Sequence, residues 1–343
     1  MEAKGDLGVK VNIKKISELS GFSPATVSNA LNNKRGVNRD TAERIIRIAH
    51  QYGYITANKI RSIKLVTYRD SGEVFSDSPF FAALLEGVEN ESRKSGYETA
   101  IFNLYRRQPD YKERVAELLN DTTSAILLIG TELSEQDAIP FQQAEVPLVL
   151  LDCWFDHLSF NAVLMNNQDS VCQAVNHLID LGHQRIGYLQ GKVRIRNFEC
   201  RERGYRQAMA EHGLSVEDRY IFTVPPSISG AYEAMNQMLQ AKPELPTAFF
   251  ADNDMIALGA MQALQKNGYR VPDEISILGF DDITFCEVFN PPLSTIRVYK
   301  QELGQLAVQK LIELIHSKTK LRVRTQICNE LIKRGSIAPP QNK

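Results

Sequence analysis

The chain has 343 residues, enough for two or three domains and a sizeable core. A hydrophobic fraction of 43%, a charged fraction of 24% and a net charge of −1 are ordinary for a soluble globular protein and exclude a polycation. The five cysteines form no C-x-x-C pair, which argues against a zinc site or a disulfide framework, and no apolar run approaches the ~18 residues of a membrane span. The N-terminus lacks a signal-peptide pattern, so the cytoplasm is the expected location.

Charge is unevenly placed. Residues 1–60 carry ten Lys or Arg against five Asp or Glu, a local surplus of about five on a mildly acidic remainder. Within that segment Ile13, Ile16 and Leu19 recur at helical spacing, and Gly21 breaks the helix. Ser23 is a good N-cap with Pro24 at the first helical position, and Phe22 and Val27 suit a hydrophobic staple. Val27, Ala30 and Leu31 are expected to face inward, leaving Pro24, Ala25, Ser28, Asn29 and Asn32 outside. Asn38 begins a third helix whose Ile45, Ile46 and Ala49 face the core, and Tyr52-Gly53-Tyr54 ends it. Three short helices with a tight turn between the first two predict a helix-turn-helix, the alternative being a generic three-helix bundle. The outward face of the second helix carries no Leu, Ile or Phe, which favours groove insertion over a partner helix.

The run from Val11 to Ser28, with Asn32, Val37, Thr41 and the Gly53-Tyr54 ending, resembles the opening of the lac repressor (LacI/GalR) family. The resemblance implies a DNA-reading helix in which Pro24, Ala25 and Asn29 meet base edges. Pro24 and Ala25 offer only apolar contact, so Asn29 is the main candidate for hydrogen-bonded readout, most naturally of adenine. Ser23, Thr26, Ser28 and the helix N-terminus suit phosphates. Asn32 belongs to the same face.

Members of that family usually continue with a short hinge helix whose leucine wedges into the minor groove. Here the Ala-Arg-x-Leu part and its polar spacer are missing, and the strand-like Ile63–Tyr68 follows almost at once. Either Ile60 substitutes for the wedge or the DNA is not kinked, while Lys59 and Arg61 remain able to neutralise phosphates. The expected division is a helix-turn-helix domain at 1–58, a shortened hinge at 59–62 and a two-lobed body at 63–343.

In the body, apolar β-rich runs alternate with helical stretches. Strands are expected at Ile63–Tyr68, Glu98–Asn103, Ala125–Ile129, Leu148–Leu151, Ala162–Met165, Arg185–Leu189, Thr247–Ala251 and Ile275–Gly279. Helices are expected at Phe80–Ser95, Tyr111–Leu119, Ser170–Leu181, Cys200–His212, Ala231–Gln240 and Asp254–Asn267. The fold class is therefore an all-α helix-turn-helix domain plus two doubly wound, parallel-sheet α/β lobes, which the family resemblance implies are of periplasmic-binding-protein type. The first lobe is placed at about 63–164 and 297–325, the second at about 165–296 and 326–340.

Ligands of open α/β sheets bind beyond the carboxyl ends of strands. Arg69, Asp70, Asp152, Asp252-Asn253-Asp254 and Asp281-Asp282 stand at such ends, each singly also explicable as a helix cap. The family resemblance continues through Leu178–Gly187, Arg201-Glu202-Arg203-Gly204-Tyr205, Asn253–Gly259, Gly279–Asp282 and Pro291–Ile296. It implies effector contacts at Asp152, Arg201, Asn253 and Asp281, whose chemistry suits polyols. Trp154, the only tryptophan, either stacks on a ligand ring or packs between the lobes. Phe80 lies in a segment that resembles the family's pocket edge, and Tyr68 and Arg69 replace smaller residues of sugar-binding members, implying a larger or anionic ligand.

The expected function is therefore a ligand-responsive repressor that binds operator DNA as a homodimer, its affinity controlled by a small molecule, a carbohydrate by preference. No cofactor, metal, membrane partner or catalysis is expected. The chain carries no G-x-G-x-x-G, P-loop, H-E-x-x-H or G-x-S-x-G motif, and no leucine heptad follows Arg334–Pro340. A solute-binding protein without a DNA-binding role is the competing class, opposed by the basic N-terminal module.

Overall fold

The computed structural model describes residues 11–31, 37–52, 60–75, 78–316, 319 and 321–341. It divides into two compact units, Met1–Arg61 and Ser62–Lys343.

In the first unit, α1 (Ile13–Ser20), α2 (Pro24–Leu31) and α3 (Arg39–Gln51) pack on one another. The Asn12 carboxamide caps α1, accepting from the Lys15 N–H at 3.0 Å. Gly21 ends it at φ +75, donating to the Ser17 carbonyl, a backbone conformation that L side chains resist. Ile16, Val27, Ala30, Ile45 and Ala49 are buried, with Ile13, Leu19, Phe22 and Leu31 packed around them. Ile46 was expected in this core but is only half-buried. It follows Ile45 directly, and a helical turn of ~100° per residue carries it off the buried stripe.

The second unit holds two sheets. The first runs β11 (Arg324–Ile327), β5 (Asn161–Met165), β4 (Leu148–Leu151), β3 (Ser124–Ile129), β1 (Ser62–Arg69), β2 (Glu98–Tyr105), with every pairing parallel. The second runs β12 (Glu330–Ile332), β10 (Ser294–Arg297), β9 (Ser276–Asp281), β8 (Ala248–Ala251), β6 (Ile186–Gly191), β7 (Ile221–Val224), parallel except for β10 with β12. Central strands are wholly buried, as two-sided helix cover requires.

The first sheet is covered by α4 (Pro79–Lys94), α5 (Tyr111–Asn120) and α12 (Lys300–His316), with the short α6 (Glu135–Ala138) near the end of β3. The second is covered by α7 (Asn167–Asp180), α8 (Arg196–Glu211), α9 (Ile228–Leu239) and α10 (Asp254–Lys266), with α11 (Phe285–Val288) beside β9. A Cβ on Gly204 would stand 2.3 Å from the Gln168 carbonyl, so this glycine is what lets α8 lie against α7.

The chain crosses between lobes after β5, after β10, and between β11 and β12. The crossings are tied together: the Asn166 N–H donates to the Ile327 carbonyl at 3.0 Å, and the Asn329 amide donates to the Asn166 carbonyl at 2.9 Å.

One helix and four short strands depart from the sequence expectation. Helix α8 begins at Arg196 rather than Cys200, because Ile195 precedes it and offers no side-chain cap to read. Strands β7, β10, β11 and β12, three or four residues long at the margins of the sheets, mix polar and apolar residues and so lack the continuous apolar run that marks the equally short β4 and β8.

Candidate functional site

In the helical unit, Ser23 precedes α2. Its Oγ accepts the Thr26 N–H at 3.1 Å and lies 2.8 Å from the Thr26 Oγ1. Its hydroxyl is thus a helix cap as well as a surface group. Ser23, Pro24 and Ala25 are exposed, while Thr26, Ser28 and Asn29 are half-buried. Val27 and Ala30 turn into the core from the opposite side of the helix. The arrangement presents small and polar groups on a short helix whose N-terminal N–H groups carry partial positive charge. Asn32 and Lys59 lie outside the described residues, and so do the Gly53-Tyr54 ending and most of the hinge. Ile60 is half-buried just ahead of β1.

In the body, the carboxyl ends of β4, β8 and β9 and the N-terminus of α8 converge between the lobes. Asp152 follows β4 at φ +64 and Asp281 ends β9 at φ +119, strained positions for non-glycine residues that cost on the order of 1–3 kcal/mol each. Asp152 bridges the lobes. Thr131 of the first lobe donates to its Oδ2 at 2.5 Å, and Asn197 of the second donates to its Oδ1 at 2.8 Å. Burial pushes the Asp152 carboxyl up to about 6, against the pull of Thr131, Arg201 and Asn197.

Arg201 is buried on α8, four residues after Asn197 and so on the same helix face. Its guanidinium lies 3.6 Å from the centroid of the Phe280 ring. It donates to the Asn167 Oδ1 at 2.8 Å, to the Asp252 carbonyl at 2.5 Å and to Asp281 at 3.5 Å. Asn253 caps α10 through its Oδ1, which accepts the Ile256 N–H at 2.9 Å, leaving its amide as the group free of that duty. Two buried carboxylates lie beneath. Asp252 accepts from the Tyr188 hydroxyl, from the Gly191 N–H at 2.7 Å and from Arg194 at 2.7 Å, and burial raises it to about 6. Asp254 accepts from Thr295 and from the Ile283 N–H. Burial and the neighbouring Asp281 charge raise it to about 7. Burial likewise raises Asp281, opposed by Arg201 and Lys300.

These groups enclose an inner cavity of about 30 Å³, lined by Val74, Phe80, Phe81, Thr131, Asp152, Asn197, Phe198, Arg201, Asn253 and Asp281 among others. A mouth cavity of about 350 Å³ shares Thr131 and Ile195 with it and adds Ser71, Glu132, Phe155, Arg194 and Arg196. A larger groove, about 560 Å³, lies at the opposite, amino-terminal ends of the second sheet's strands, beside Arg185, Thr247 and Ile275. Open α/β sheets take ligands at the carboxyl ends, so the smaller interlobe cavities are the candidate ligand site.

The structure thus brings Phe80, Asp152, Arg201, Asn253 and Asp281 together and turns three expected residues away. The Tyr68 hydroxyl donates to Asp137 at 2.9 Å, and Tyr68 borders not the inner cavity but a side pocket with Arg106 and Arg107 that shares Asp70, Glu132 and Ser134 with the mouth cavity. Arg69 stacks between Phe75, at 5.1 Å, and Tyr105, at 5.7 Å. Trp154 is covered by the guanidinium groups of Arg196, at 4.8 Å, and Arg324, at 5.5 Å, and lines neither cavity. Neither Tyr68 nor Arg69 lines the inner cavity. Thr131, Asn197, Phe81 and Phe198 were missed. Asn197 was legible in principle as the residue one helical turn before Arg201, had α8 been started at Arg196.

Comparison with known proteins agrees with this geometry. Residues 12–57 match the model for bacterial regulatory proteins of the lacI family, and residues 175–337 match a periplasmic binding protein-like domain. The HTH-type transcriptional repressor PurR of Haemophilus influenzae (strain PittEE) is 32% identical over 332 residues, 95% of this chain and 98% of that protein. Among solved structures, the lac repressor dimer bound to operator and the anti-inducer ONPF is 25% identical, with a TM-score of 0.71 over 96% of this chain and 100% of that one. A LacI family transcriptional regulator from Enterococcus faecium with bound ribose is 25% identical, with a TM-score of 0.68 over 80% of this chain and 99% of that one. A helix-turn-helix unit joined to two α/β lobes with a polar interlobe site, matched along its length by named repressors, settles the family: this chain is a member of the LacI family of bacterial regulatory proteins, a DNA-binding transcriptional repressor with a ligand-binding body.

Proposed function

We propose that the chain acts in the cytoplasm as a homodimer on a palindromic operator and that its effector is a neutral polyhydroxylated molecule, a sugar or close relative. The observation that carries the ligand class is the composition of the inner cavity. Asp152 and Asp281 supply accepting oxygens, and the single guanidinium of Arg201 is already committed to Asn167, Asp252 and Asp281. A site with two carboxylates and one neutralised arginine opposes an anion and suits hydroxyl donors. Phe80, Phe81 and Phe198 give the apolar face that a sugar ring's C–H groups require. The Enterococcus faecium relative with ribose is consistent with that chemistry.

A 30 Å³ cavity holds about one water molecule, so a sugar enters only when the lobes part about their tied crossings. The ligand then shifts operator affinity only by its differential binding to open and closed lobes. On the DNA side, Asn29 reads a base pair, Pro24 and Ala25 make apolar contacts, and Ser23, Thr26 and Ser28 meet phosphates. Asn32, Lys59 and Ile60 extend the contact.

The test is fluorescence anisotropy of a labelled palindromic operator with the full chain, across a panel of mono- and disaccharides, alditols and sugar phosphates. At least one neutral polyol should change operator Kd tenfold or more, and Asp152→Asn should abolish the response while leaving ligand-free operator binding intact. A response confined to the phosphates would refute the ligand class. Operator binding that ignores salt would refute the DNA reading.

A further inference from the structure

Glu132 lies in the turn after β3. Its Oε2 accepts three backbone N–H groups, those of Asp70 at 2.7 Å, Ser71 at 2.9 Å and Gly72 at 2.9 Å. Its Oε1 accepts the Ser71 hydroxyl at 2.9 Å and the Val74 N–H at 3.3 Å. Successive N–H groups aimed at one point form an anion-binding nest, and Gly72 at φ +74 permits this one. The nest follows β1, at the place where the order β2-β1-β3 reverses, which is where open α/β sheets receive ligands. Its occupant is therefore an anion supplied by the chain itself. The loop it holds carries Val74 across the cleft to pack with Ile195 and Phe198 of the second lobe, and Glu132 lines the mouth cavity.

We propose that Glu132 is a specificity-determining residue that excludes anionic ligands from the cleft. Its carboxylate fills the first lobe's anion nest and opposes any phosphate group approaching the mouth, so that ligands without a negative charge are admitted. The ligand class admitted rests on the neutral-polyol reading above; the occupied nest does not.

The test uses the full chain and inorganic phosphate, with ionic strength held constant by sodium chloride. Calorimetric titration should show Glu132→Ser binding phosphate at least tenfold more tightly than the wild type. Phosphate or sulfate, but not chloride, should raise the variant's melting temperature. Glu132→Gln keeps the side-chain volume and should gain much less than the serine variant. A folded Glu132→Ser that binds phosphate no better than the wild type overturns the proposal, as does tight phosphate binding by the wild type. Should the serine variant lose its native near-ultraviolet circular dichroism, phosphate added during refolding decides: recovery of the signal supports an anion-dependent nest, and no recovery overturns it. Neither DNA nor polyol enters these measurements, so a failure of the sugar reading and a failure of the nest show up separately.

Discussion

Among the described residues of the helical unit the buried apolar side chains are Ile16, Val27, Ala30, Ile45 and Ala49, whereas the second lobe alone encloses Met235, Phe249, Ile256, Leu258, Met261, Leu264 and Ile277 among many others. The contrast extends to the working residues. Those of the helix are exposed or half-buried and uncharged, so they add little to the cost of folding. Those of the cleft are buried and include the charged Asp152, Arg201 and Asp281, and a buried charge is tolerable only where partners compensate it. A small core carrying an inexpensive surface should therefore fail by loss of packing, and a large core carrying buried carboxylates should fail by change of charge.

The largest effect expected is at Ile16, fully buried where α1 meets the rest of the unit. Ile16→Ala should cost about 2–5 kcal/mol. A unit this small has little stability to lose. Operator binding should vanish while the thermal transition of the body and its ligand affinity stay in place. Electrophoretic mobility shift and calorimetric melting would show both, and operator binding that survives within threefold would mean the packing contrast is overstated.

In the body the corresponding probe is Asp254. Its folded-state pKa, raised to about 7, exceeds the ordinary carboxylate value, so the folded protein holds a proton that the unfolded chain has already lost. The sign is the reverse of a salt-bridged aspartate. Asp254 costs nothing below about pH 4, and its ionisation destabilises the fold increasingly up to about pH 7, by at most roughly 4 kcal/mol. Asp254→Asn keeps one accepting oxygen and loses the other, so one of the hydrogen bonds accepted from the Thr295 hydroxyl and the Ile283 N–H is lost at every pH, a constant offset. Relative to the wild type it should therefore become steadily more stable between pH 4 and pH 7. Urea titrations at pH 5 and pH 8 measure the slope; a difference independent of pH would place the buried charge elsewhere, with Asp281 the first alternative.

How far such behaviour could be foreseen differs between the two regions for a physical reason. The helical unit was legible because its signals are local: Gly21 at positive φ, Ser23 and Asn38 as caps, and Val27 and Ala30 on the inward face. The strand–helix alternation of the lobes was legible for the same reason. Which residues share a pocket depends on lobe closure and on side-chain direction, neither of which is local. Asp152, Arg201, Asn253 and Asp281 were found through family resemblance and strand-end position. Trp154 and Arg69 looked equally suitable by position, yet each is stacked against partners distant in sequence, Arg324 and Tyr105. Glu132 gave no signal, since its partners lie about sixty residues earlier.

Asn29 is the next probe in size. Asn29→Ala removes the main hydrogen-bonding side chain proposed for base readout and should relax preference at one base pair per half-site by about 1–3 kcal/mol. Melting of the helical unit should hardly change, since Asn29 is outside its buried core. Binding to a library of operator variants is the measurement. Unchanged preference at every position would move specificity to residues beyond the described part of the helix.

The smallest effect separates the capping role of the Ser23 hydroxyl from the phosphate contact proposed for it. Ser23 caps α2, so Ser23→Ala should cost about 1 kcal/mol of stability in the helical unit. A weaker operator complex in that variant would not tell a lost cap from a lost phosphate contact. Ser23→Asp does tell them apart. Aspartate caps as well as serine, and its charge is favourable at a helix N-terminus, so melting should match the wild type. The same charge facing a phosphate repels it, so operator affinity should fall tenfold or more at low salt and recover partly as salt screens the repulsion. If Ser23→Asp bound operator as the wild type does, Ser23 would belong to the fold of the helix alone and the phosphate contacts would fall to Thr26 and Ser28.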